Sequence, residues 1–381
     1  MTHRTDIIIL GAGMAGASLA AELAPQCSVI LIEIEDQPGR HATGRSAAMF
    51  FESYGNATVC ALTRASRAFL EHPTAGFADQ PLMSPRAAML VANADGLPRL
   101  DAMFQSTDAA PTLRRLDAAA AIGRVPILRA DWLAGAAIDV SGCDMDVAAI
   151  HQGYLRLGRR AGAQLVLDAA EMTIERHAGQ WTVRCRNGSF SAPVLVNATG
   201  AWADAVAQQA GVAMIGLQPM RRTAMTIPAP AGHDLRDWPM VIDIDETVYF
   251  KPEAGQLLLS PANEDPMPPC DVAPEELDVA LAVDRFETLT SERVQRINRR
   301  WAGLRSFVAD RSPVAGFDGG ADGFFWLAGQ GGYGIQMAPA LARAAAALVL
   351  DRPLPDDILA QGVTPHDLSP MRPALRAVPK T

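Results

Sequence analysis

The sequence lacks the features that mark several large classes of protein. Its formal net charge of −9 argues against non-specific binding to nucleic acid, which needs a basic face. No uninterrupted apolar stretch reaches about 18 residues, so no membrane span is expected. The five cysteines show no Cys-x-x-Cys or metal-ligand spacing, and their odd number and scatter are typical of a reducing compartment. We therefore expect a cytoplasmic protein that binds no metal and no nucleic acid.

What the sequence does contain is an ordinary globular composition, with 49% apolar and 20% charged residues among 381. A chain of this length can form one large domain or two medium domains with a buried core. Residues 7–24 resemble the apolar part of a signal peptide. However, a folded segment is favoured over a signal peptide. Asp6 precedes these residues, Glu22 interrupts them, and their glycines follow a regular spacing.

The chain opens with a strand, a glycine-rich turn and a helix. "IIILGAGMAGASLAAELA" predicts a strand over 6–10 and a helix over 14–24, and a second strand follows over 28–33. This is the first βαβ unit of a doubly wound α/β fold.

The glycines of this turn carry the first functional signal. Gly11, Gly13 and Gly16 have the G-x-G-x-x-G spacing, which lets backbone N–H groups approach a pyrophosphate at the positive end of a helix. Glu33 ends the second strand, where an acidic residue accepts hydrogen bonds from ribose hydroxyls. Together these residues predict that the chain binds a dinucleotide.

The remaining predicted elements are a mixture of helices, with helical spacing of their apolar residues, and strands, with alternating apolar and polar residues. They are a helix over 57–71, extended chain over 81–92, a helix over 144–163, short strands in "EMTIERH", "WTVRCR" and "PVLVNATG", an antiparallel sheet over 223–264, a helix over 275–298, a strand over 324–329 and a helix over 335–350.

The nucleotide-binding pieces lie at the start, middle and end of the chain, with sheet-like pieces between them. We therefore expect two interleaved domains: a Rossmann-like cofactor domain over 1–80, 142–213 and 306–381, and an α+β substrate domain over 81–141 and 214–305. The substrate domain is expected to be built on a mostly antiparallel sheet.

Two later stretches favour FAD over NAD. "VLVNATG" (194–200) brings a second strand end with small residues against the nucleotide. "WLAGQGGYGIQ" (326–336) is another junction of strand, glycines and helix, for which an NAD fold has no evident need. A helix N-terminus there would stabilise the negative charge that an isoalloxazine ring gains on reduction. The alternative is that Gly331, Gly332 and Gly334 only make a tight turn.

These motifs, with "GRHATGRSAA" and "NATGAW", resemble the FAD-dependent D-amino-acid oxidase and glycine/sarcosine oxidase family. Within it the chain is most similar to bacterial D-arginine dehydrogenases, nearly end to end, through "HQGYLR", "LQPMRR", "WAGLRSFVAD" and "LSP". The resemblance implies non-covalent FAD, although His41 sits where some related dehydrogenases carry a flavin-linked histidine. The cofactor-binding residues implied by the fingerprint and the resemblance are Gly11, Gly13, Met14, Ala15, Gly16, Glu33, Ile34, Thr43, Gly44, Ser46, Ala47, Ala198, Thr199, Gly200, Trp202, Gly329, Gly331, Gly332, Tyr333, Gly334, Ile335 and Gln336.

The resemblance also implies a substrate site. An amino acid must be held by its carboxylate so that its Cα hydrogen faces flavin N5, and a guanidinium is the best clamp for a carboxylate. Arg222 in "MRRTAM" and Arg305 in "GLRSF" match the family's substrate arginines, and Arg221 is expected to be a solvated neighbour. Tyr54 and Tyr249 match family positions that contact substrate.

Two departures from the arginine-specific enzymes change the expected substrate. Ala88 stands where those enzymes carry a glutamate for the substrate guanidinium, and Met49 stands at their active-site histidine. A pocket lined by Met49, Phe50, Phe51 and Ala88, with Gly332 and Gln336 at the flavin edge, should prefer apolar over basic D-amino acids.

The expected reaction is oxidative deamination of a D-amino acid, which needs no catalytic base. Glu52 and His151 are expected to be surface or structural groups.

Leu257 aligns with the lysine that sarcosine oxidases place over the flavin, so an acceptor such as a quinone is favoured over oxygen. The alternatives are oxidation of N-methyl amino acids or 2-hydroxy acids, and a flavin subunit of a larger dehydrogenase. A monomer or homodimer is expected.

Overall fold

The computed structural model describes residues 2–105 and 112–376. Its strands form four sheets, of which the largest have six and nine strands. The strands are β1 (Thr2–Arg4), β2 (Ile7–Leu10), β3 (Val29–Ile32), β4 (Met49–Phe50), β5 (Met83–Pro85), β6 (Ala88–Ala92), β7 (Leu113–Asp117), β8 (Gly135–Asp139), β9 (Cys143–Met145), β10 (Gln164–Val166), β11 (Thr173–His177), β12 (Gln180–Cys185), β13 (Gly188–Ala192), β14 (Val194–Asn197), β15 (Gln218–Pro228), β16 (Met240–Asp243), β17 (Tyr249–Glu253), β18 (Gln256–Ser260), β19 (Asp265–Pro266), β20 (Arg299–Phe307), β21 (Val314–Phe317) and β22 (Phe324–Ala328).

The helices pack mainly around the six-stranded sheet. They are α1 (Met14–Leu23), α2 (Ala57–Glu71), α3 (Leu97–Gln105), α4 (Ala118–Arg124), α5 (Val147–Arg160), α6 (Ala203–Gln209), α7 (Glu276–Leu289), α8 (Ala338–Val349), α9 (Asp356–Ala360), α10 (Pro365–Leu368) and α11 (Pro373–Arg376), with 3-10 turns at Ala94–Gly96 and Gly200–Trp202. Among the described residues, no helix is both long and apolar enough to cross a membrane.

The six-stranded sheet has the order β10-β3-β2-β14-β22-β21 and is parallel except for its edge strand β21. All four residues of β2 are buried, because helices and loops cover both faces of the sheet. The carboxyl ends of its parallel strands meet at one edge. The glycine turn after Leu10, the segment after Asn197 and the turn after Ala328 therefore lie side by side, where α/β sheets bind their ligands.

The nine-stranded sheet is mostly antiparallel, and only β6 and β16 pair in parallel. Its order is β19-β15-β18-β17-β16-β6-β8-β7, and β20 pairs with β15 along nine residues. The antiparallel arrangement predicted for 223–264 is present in β15, β17 and β18. The strand β20 was not among the predicted elements, although it carries one of the two predicted substrate arginines.

The boundaries of three predicted helices differ from the structure. The helix predicted over 275–298 ends at Leu289, because Ser291 N donates to the carbonyl of Ile127 at 2.8 Å and the chain then turns into β20. Residues 335–337 form a turn before α8. The start of the helix predicted over 144–163 belongs to β9, which pairs with β4 and β5.

Candidate active site

The described residues enclose a cleft of about 510 Å³ that joins the carboxyl edge of the six-stranded sheet to the nine-stranded sheet. It brings together most of the predicted cofactor residues and three of the four predicted catalytic residues. From the prediction, the cleft is lined by Gly11, Gly13, Met14, Ala15, Glu33, Ile34, Thr43, Ser46, Ala47, Ala198, Thr199, Gly200, Trp202, Gly331, Gly332, Gly334, Ile335, Arg222, Tyr249 and Arg305.

The glycine turn is shaped by contacts that a side chain would block. Gly11 has a φ of +93°, and a Cβ there would lie 2.5 Å from the carbonyl oxygen of Ala198. A Cβ on Gly16 would lie 1.9 Å from the carbonyl oxygen of Gly11. The backbone can therefore pass close to the next strand while the start of α1 faces the cleft, which is the cradle that a pyrophosphate requires.

Glu33 holds this turn against the end of β3. Its Oε2 accepts a hydrogen bond from Ala12 N at 2.8 Å, and its Oε1 accepts one from Glu35 N at 3.2 Å. The Thr43 hydroxyl accepts from Met14 N at 3.0 Å. A carboxylate oxygen can accept further bonds, so the predicted role of Glu33 toward ribose fits this arrangement.

The loop that contains Arg45 is held against β20 of the nine-stranded sheet. Nη1 of Arg45 donates to the carbonyls of Val272 at 3.0 Å and Ala302 at 3.1 Å, and its Nη2 pairs with Asp271. Trp301 Nε1 donates to the Arg45 carbonyl at 3.0 Å. These bonds fix the backbone that presents the next two residues, Ser46 and Ala47, to the cleft.

Five predicted cofactor residues do not line the cleft: Gly16, Gly44, Gly329, Tyr333 and Gln336. Gln336 acts elsewhere, because its Oε1 accepts from Phe51 N at 3.1 Å and its Nε2 donates to the Thr63 hydroxyl at 3.0 Å. The ring of Tyr333 packs on Tyr54 at a centroid distance of 4.9 Å, and burial raises the pKa of Tyr333 to about 12.

The two predicted substrate arginines face the same cleft from neighbouring strands. Arg222 lies on β15, with Nε donating to the Asn263 carbonyl at 2.8 Å and Nη2 pairing with Glu264 at 3.1 Å. Arg305 lies on β20, and its Nη1 donates to the Tyr54 hydroxyl at 3.4 Å. The paired strands thus bring two guanidinium groups and a hydroxyl to one place.

The charges of this group are strongly coupled. Burial and the positive charge of Arg305 lower the pKa of the Arg222 guanidinium. Burial also opposes the charged form of Arg305, but Tyr54 and Tyr249 outweigh it and raise the pKa of that guanidinium. Burial would raise the pKa of the Tyr249 hydroxyl, but Arg305 and Arg222 outweigh it and lower that pKa. The positive potential therefore favours an anion in the cleft.

Arg221 is not the solvated neighbour that the sequence predicts. It is only 5% exposed, and its Nε pairs with Asp278 at 2.9 Å while its other nitrogens pair with Glu275 and Asp265. Successive side chains of a strand point to opposite faces, so Arg221 faces α7 while Arg222 faces the cleft.

Three of the four predicted apolar pocket residues lie together, but behind the cleft. The fourth, Phe50, was predicted wrongly, because it is buried in a separate cluster with Phe77 and Tyr154. Phe51, Ala88 and Tyr249 belong to one buried apolar cluster, and Met49 and Tyr54 pack against it. Met49, Phe51 and Ala88 do not line the cleft itself. The cluster therefore forms an apolar wall next to Tyr249.

Leu257 does not stand over the cofactor site, contrary to the alignment. It is fully buried in the core on the other face of the nine-stranded sheet, whereas its neighbour Leu258 faces the apolar cluster. The lysines of the sequence are Lys251 and Lys380, and Lys380 lies outside the described residues. Lys251 is buried and pairs with Asp144 and Glu253, each at 2.8 Å, so it does not reach the cleft.

Other titratable groups near the site have structural partners. Glu52 pairs with Arg67. His151 Nε2 lies 2.8 Å from the Ala12 carbonyl, and burial lowers the pKa of its ring. His41 lines the cleft, with Nε2 at 2.7 Å from Glu35 Oε1 and its ring on Trp202. Across the described residues, no group of three or more His, Cys, Asp or Glu side chains could hold a metal ion.

Four polar residues at the site were not predicted. Ser306 and Gln330 line the cleft, and Ser306 Oγ and Gln330 Nε2 are buried atoms without a hydrogen-bond partner in the structure. Such atoms fit a cleft that holds a polar ligand. Glu264 accepts a hydrogen bond from Arg222, and Arg311 donates to the same Glu264 carboxylate. The position of Gln330 in the glycine-rich junction could have marked it, but no local pattern marks the other three.

The fold and the cleft define a dinucleotide-dependent oxidoreductase. The chain belongs to the DAO family, described as FAD dependent oxidoreductases, whose sequence model matches residues 6–348. Its cofactor is therefore FAD, and the predicted α/β FAD-binding fold is confirmed.

The curated relatives share the sequence at a low level. The chain is 23% identical to glycine oxidase of Bacillus licheniformis over 378 residues, covering 93% of this chain and 95% of that protein. It is 28% identical to FAD-dependent oxidoreductase domain-containing protein 1 of Xenopus laevis over 211 residues, covering 49% of this chain. The match spans only 41% of that relative's length.

Solved structures share the fold over almost the whole chain. L-alpha-glycerophosphate oxidase from Mycoplasma pneumoniae, dithionite reduced and with FAD bound, has a TM-score of 0.82 and 17% identity, covering 92% of this chain and 95% of the other. Glycine oxidase from Geobacillus kaustophilus has a TM-score of 0.78 and 22% identity, covering 92% and 96%. The chain is thus a glycine oxidase-like member of the family, without specific similarity to D-arginine dehydrogenases among these proteins.

Proposed function

We propose that this protein is an FAD-dependent dehydrogenase of D-amino acids with apolar side chains. The observation that carries the proposal is that Arg222, Arg305 and Tyr249 line a cleft that continues into the dinucleotide site. Tyr54 does not line the cleft, but its hydroxyl is bonded to Arg305 beside it. A carboxylate held there meets two guanidinium groups and two tyrosine hydroxyls, which is a strong and directional anion site.

The chain's own residues bind and orient the substrate. Arg222 and Arg305 hold the carboxylate, and the Tyr54 hydroxyl, already bonded to Arg305, fixes the direction of that guanidinium. FAD bound in the cleft would accept a hydride from the substrate Cα. The product imine is hydrolysed by water to a 2-oxo acid and ammonia. Fixed geometry supplies much of the rate gain in such a reaction. A substrate whose amine is neutral can lose hydride directly and leave an iminium, so no residue has to act as a base.

The apolar cluster supports the proposed side-chain preference. The side chains of Ala88 and Met49, near Tyr249, carry no carboxylate. A basic substrate side chain would therefore be buried there without a negatively charged partner. Leaving a buried charge unpaired costs several kcal/mol, on the order of 3–5. Apolar D-amino acids should therefore react better than D-arginine or D-lysine.

We propose an electron acceptor such as a quinone and non-covalent FAD. The argument from Leu257 is lost, because that side chain lies in the core. Instead, the one lysine among the described residues, Lys251, is buried in ion pairs away from the cleft. No lysine charge within the described part of the chain thus stands at the cofactor to activate oxygen.

We also propose the cytoplasm as the location and a monomer or homodimer as the assembled state.

A second candidate is oxidation of small or N-substituted amino acids. The near full-length similarity to a glycine oxidase supports it. Phe51 and Ala88 are buried and do not line the cleft, which also favours a small side chain. The same arginines would hold the carboxylate of glycine, sarcosine or a 2-hydroxy acid.

Anaerobic reduction of the bound flavin tests both candidates. The holoenzyme is mixed with D- and L-amino acids, glycine, sarcosine and D-2-hydroxyglutarate, and the loss of yellow absorbance is followed. Fast bleaching by apolar D-amino acids supports the first candidate, and fast bleaching by glycine or sarcosine alone supports the second. Bleaching by none of them would indicate a flavin subunit of a larger enzyme.

Arginine variants test the carboxylate site. Arg222→Met and Arg305→Met should each lower the reduction efficiency by about 100-fold or more, because each removes charged hydrogen bonds to the substrate. Both variants should still bind FAD and remain yellow. Unchanged turnover in both variants would overturn the proposal.

A further inference from the structure

Glu264 connects Arg222, which lines the cleft, to a third arginine, Arg311. Nη2 of Arg222 donates to Glu264 Oε1 at 3.1 Å. Nη2 of Arg311 donates to Oε1 at 3.0 Å and to Oε2 at 2.9 Å. The Glu264 side chain is 30% exposed and that of Arg311 is 43% exposed, so solutes can reach this carboxylate.

The contacts to Asn263 and Glu264 use one edge of the Arg222 guanidinium. Nε donates to the Asn263 carbonyl and Nη2 to Glu264, and these two nitrogens form the side edge of the group. The end edge, formed by Nη1 and the second hydrogen of Nη2, is used by neither contact. A substrate carboxylate can therefore bind Arg222 while Glu264 stays in place.

The backbone on both sides of this bridge adopts an unfavourable conformation. Ala262, two residues before Glu264, has a φ of +50°, and Arg311 has a φ of +58°. This left-handed conformation is unfavourable for residues other than glycine. Asn263 holds the first segment, because its Oδ1 accepts from Thr223 N at 2.9 Å. Asp310 holds the second through its ion pair with Arg372. The structure thus keeps Glu264 and Arg311 together at a cost in backbone strain.

We propose that Glu264 occupies, as an internal carboxylate, an anion subsite between Arg222 and Arg311, and so restricts the cleft to substrates with one carboxylate. The inference rests on the proposed function, in which Arg222 and Arg305 bind the first carboxylate. The second carboxylate of a dicarboxylic substrate would require a pair of converging guanidinium groups. Arg222 and Arg311 form such a pair, but Glu264 already lies between them. The second carboxylate would have to displace Glu264, which is tethered, or lie beside it and be repelled.

A matched pair of unreactive acids tests this inference. Propionate has one carboxylate, and succinate adds a second at the far end of the same carbon chain. Each is titrated into the FAD-loaded enzyme, and binding is read from the change in the flavin absorbance spectrum. The variants are Glu264→Ala, Glu264→Gln and the double variant Glu264→Ala/Arg311→Met, with thermal melting as the check of folding.

The expected result concerns the ratio of the two affinities. In Glu264→Ala, succinate should gain about tenfold over propionate relative to the wild type, because the vacated arginine pair accepts its second carboxylate. In Glu264→Gln the gain should be about threefold, since the amide removes the charge but fills the space. The double variant should lose the gain.

Other outcomes separate this inference from the proposed function. A ratio that stays within about twofold of the wild type in both single variants overturns the subsite. Equal weakening of both acids would show that Glu264 only holds Arg222 in place, which also overturns it. In either case, Arg305-dependent binding of propionate leaves the proposed function intact. Failure of both acids to bind any variant counts against the carboxylate site itself and the inference with it.

Discussion

Arg305 donates a hydrogen bond to the hydroxyl of Tyr54 at 3.4 Å, although 251 positions separate the two residues in the chain. Arg305 lies on β20 of the nine-stranded sheet, and Tyr54 lies in the loop before α2. Other bonds hold the same loop: Phe51 N donates to Gln336 Oε1, and the Ser53 hydroxyl donates to Asp139 at 2.9 Å. The direction of the Arg305 guanidinium is therefore set by a loop that is itself fixed.

Tyr54→Phe should weaken substrate binding without affecting FAD. Its hydroxyl is one partner of Arg305, and losing such a bond to a charged group costs about 1.5–3 kcal/mol, or roughly 10- to 100-fold in kcat/KM. The ring remains, so its packing on Tyr333 should be kept. Steady-state kinetics checks the loss, and a flavin titration checks that FAD affinity is unchanged. Wild-type kcat/KM in this variant would remove Tyr54 from the site.

Tyr249 should give the enzyme an alkaline limit. Burial opposes its ionisation, but Arg305 and Arg222 outweigh burial and lower the pKa of its hydroxyl below the ordinary value of 10.0. Below that pKa the neutral hydroxyl can donate to the substrate carboxylate. Above it the phenolate neutralises arginine charge and repels the carboxylate, so kcat/KM should fall as pH rises, beginning below pH 10.

The variant Tyr249→Phe has no group to ionise at this position. The fall in kcat/KM should therefore shift to higher pH, measured with the best substrate from the reduction screen. An alkaline limb at the same pH as in the wild type would assign it to another group.

Adjacent arginines on β15 should respond to substitution in different ways. Arg221→Met leaves Asp278, which is 5% exposed, as an unpaired buried charge and should cost about 3–5 kcal/mol of folding stability. Arg222 faces the cleft, so Arg222→Met should mainly abolish reduction of the flavin by the substrate. Thermal melting and flavin reduction of both variants check the contrast. A stable Arg221→Met enzyme would contradict the buried role of this arginine.

This pair also illustrates what the sequence could and could not predict. The glycine turn and the helix Ala57–Glu71 follow from local spacing and periodicity, and the structure places them where they were predicted. Strand alternation requires Arg221 and Arg222 to face opposite sides. The sequence does not say that α7 brings Asp278 to one of those sides, so the buried role of Arg221 was missed.

Leu257 was placed wrongly and Glu264 was missed for related reasons. A one-residue change of register moves a strand side chain to the other face, and this distinguishes Leu257 in the core from Leu258 beside the site. Glu264 meets Arg222 only because the chain between them folds back, and it meets Arg311 across a gap of 47 positions. No local spacing encodes such contacts.

Gly11→Ala should damage both the fold and the cofactor site. Its new Cβ would lie 2.5 Å from the Ala198 carbonyl oxygen, and its φ of +93° is unfavourable for alanine. We expect a loss of at least about 2 kcal/mol of folding stability and a large drop in bound FAD. Gly123→Ala is the matched control, because the site lies in α4 and no heavy atom outside its chain neighbours and its own helix backbone lies within 4 Å of the new Cβ. That control should be neutral or slightly stabilising in thermal melting, and an equal loss in both variants would contradict the close packing at Gly11.

Arg45→Met should weaken FAD binding through the loop rather than through contact with the substrate. The substitution removes the bonds from Nη1 to the Val272 and Ala302 carbonyls and the pair with Asp271, which tie the loop to β20 and to the segment before α7. The backbone of Ser46 and Ala47 should become less ordered, and the dissociation constant of FAD should rise about tenfold, measured by fluorescence titration of the apoprotein. Arg236→Met is the control, since this arginine is 86% exposed, pairs with Asp234 and does not line the cleft. Because exposed pairs contribute little, the control should bind FAD as the wild type does. Equal FAD affinities in the two variants would mean that Arg45 does not hold this loop.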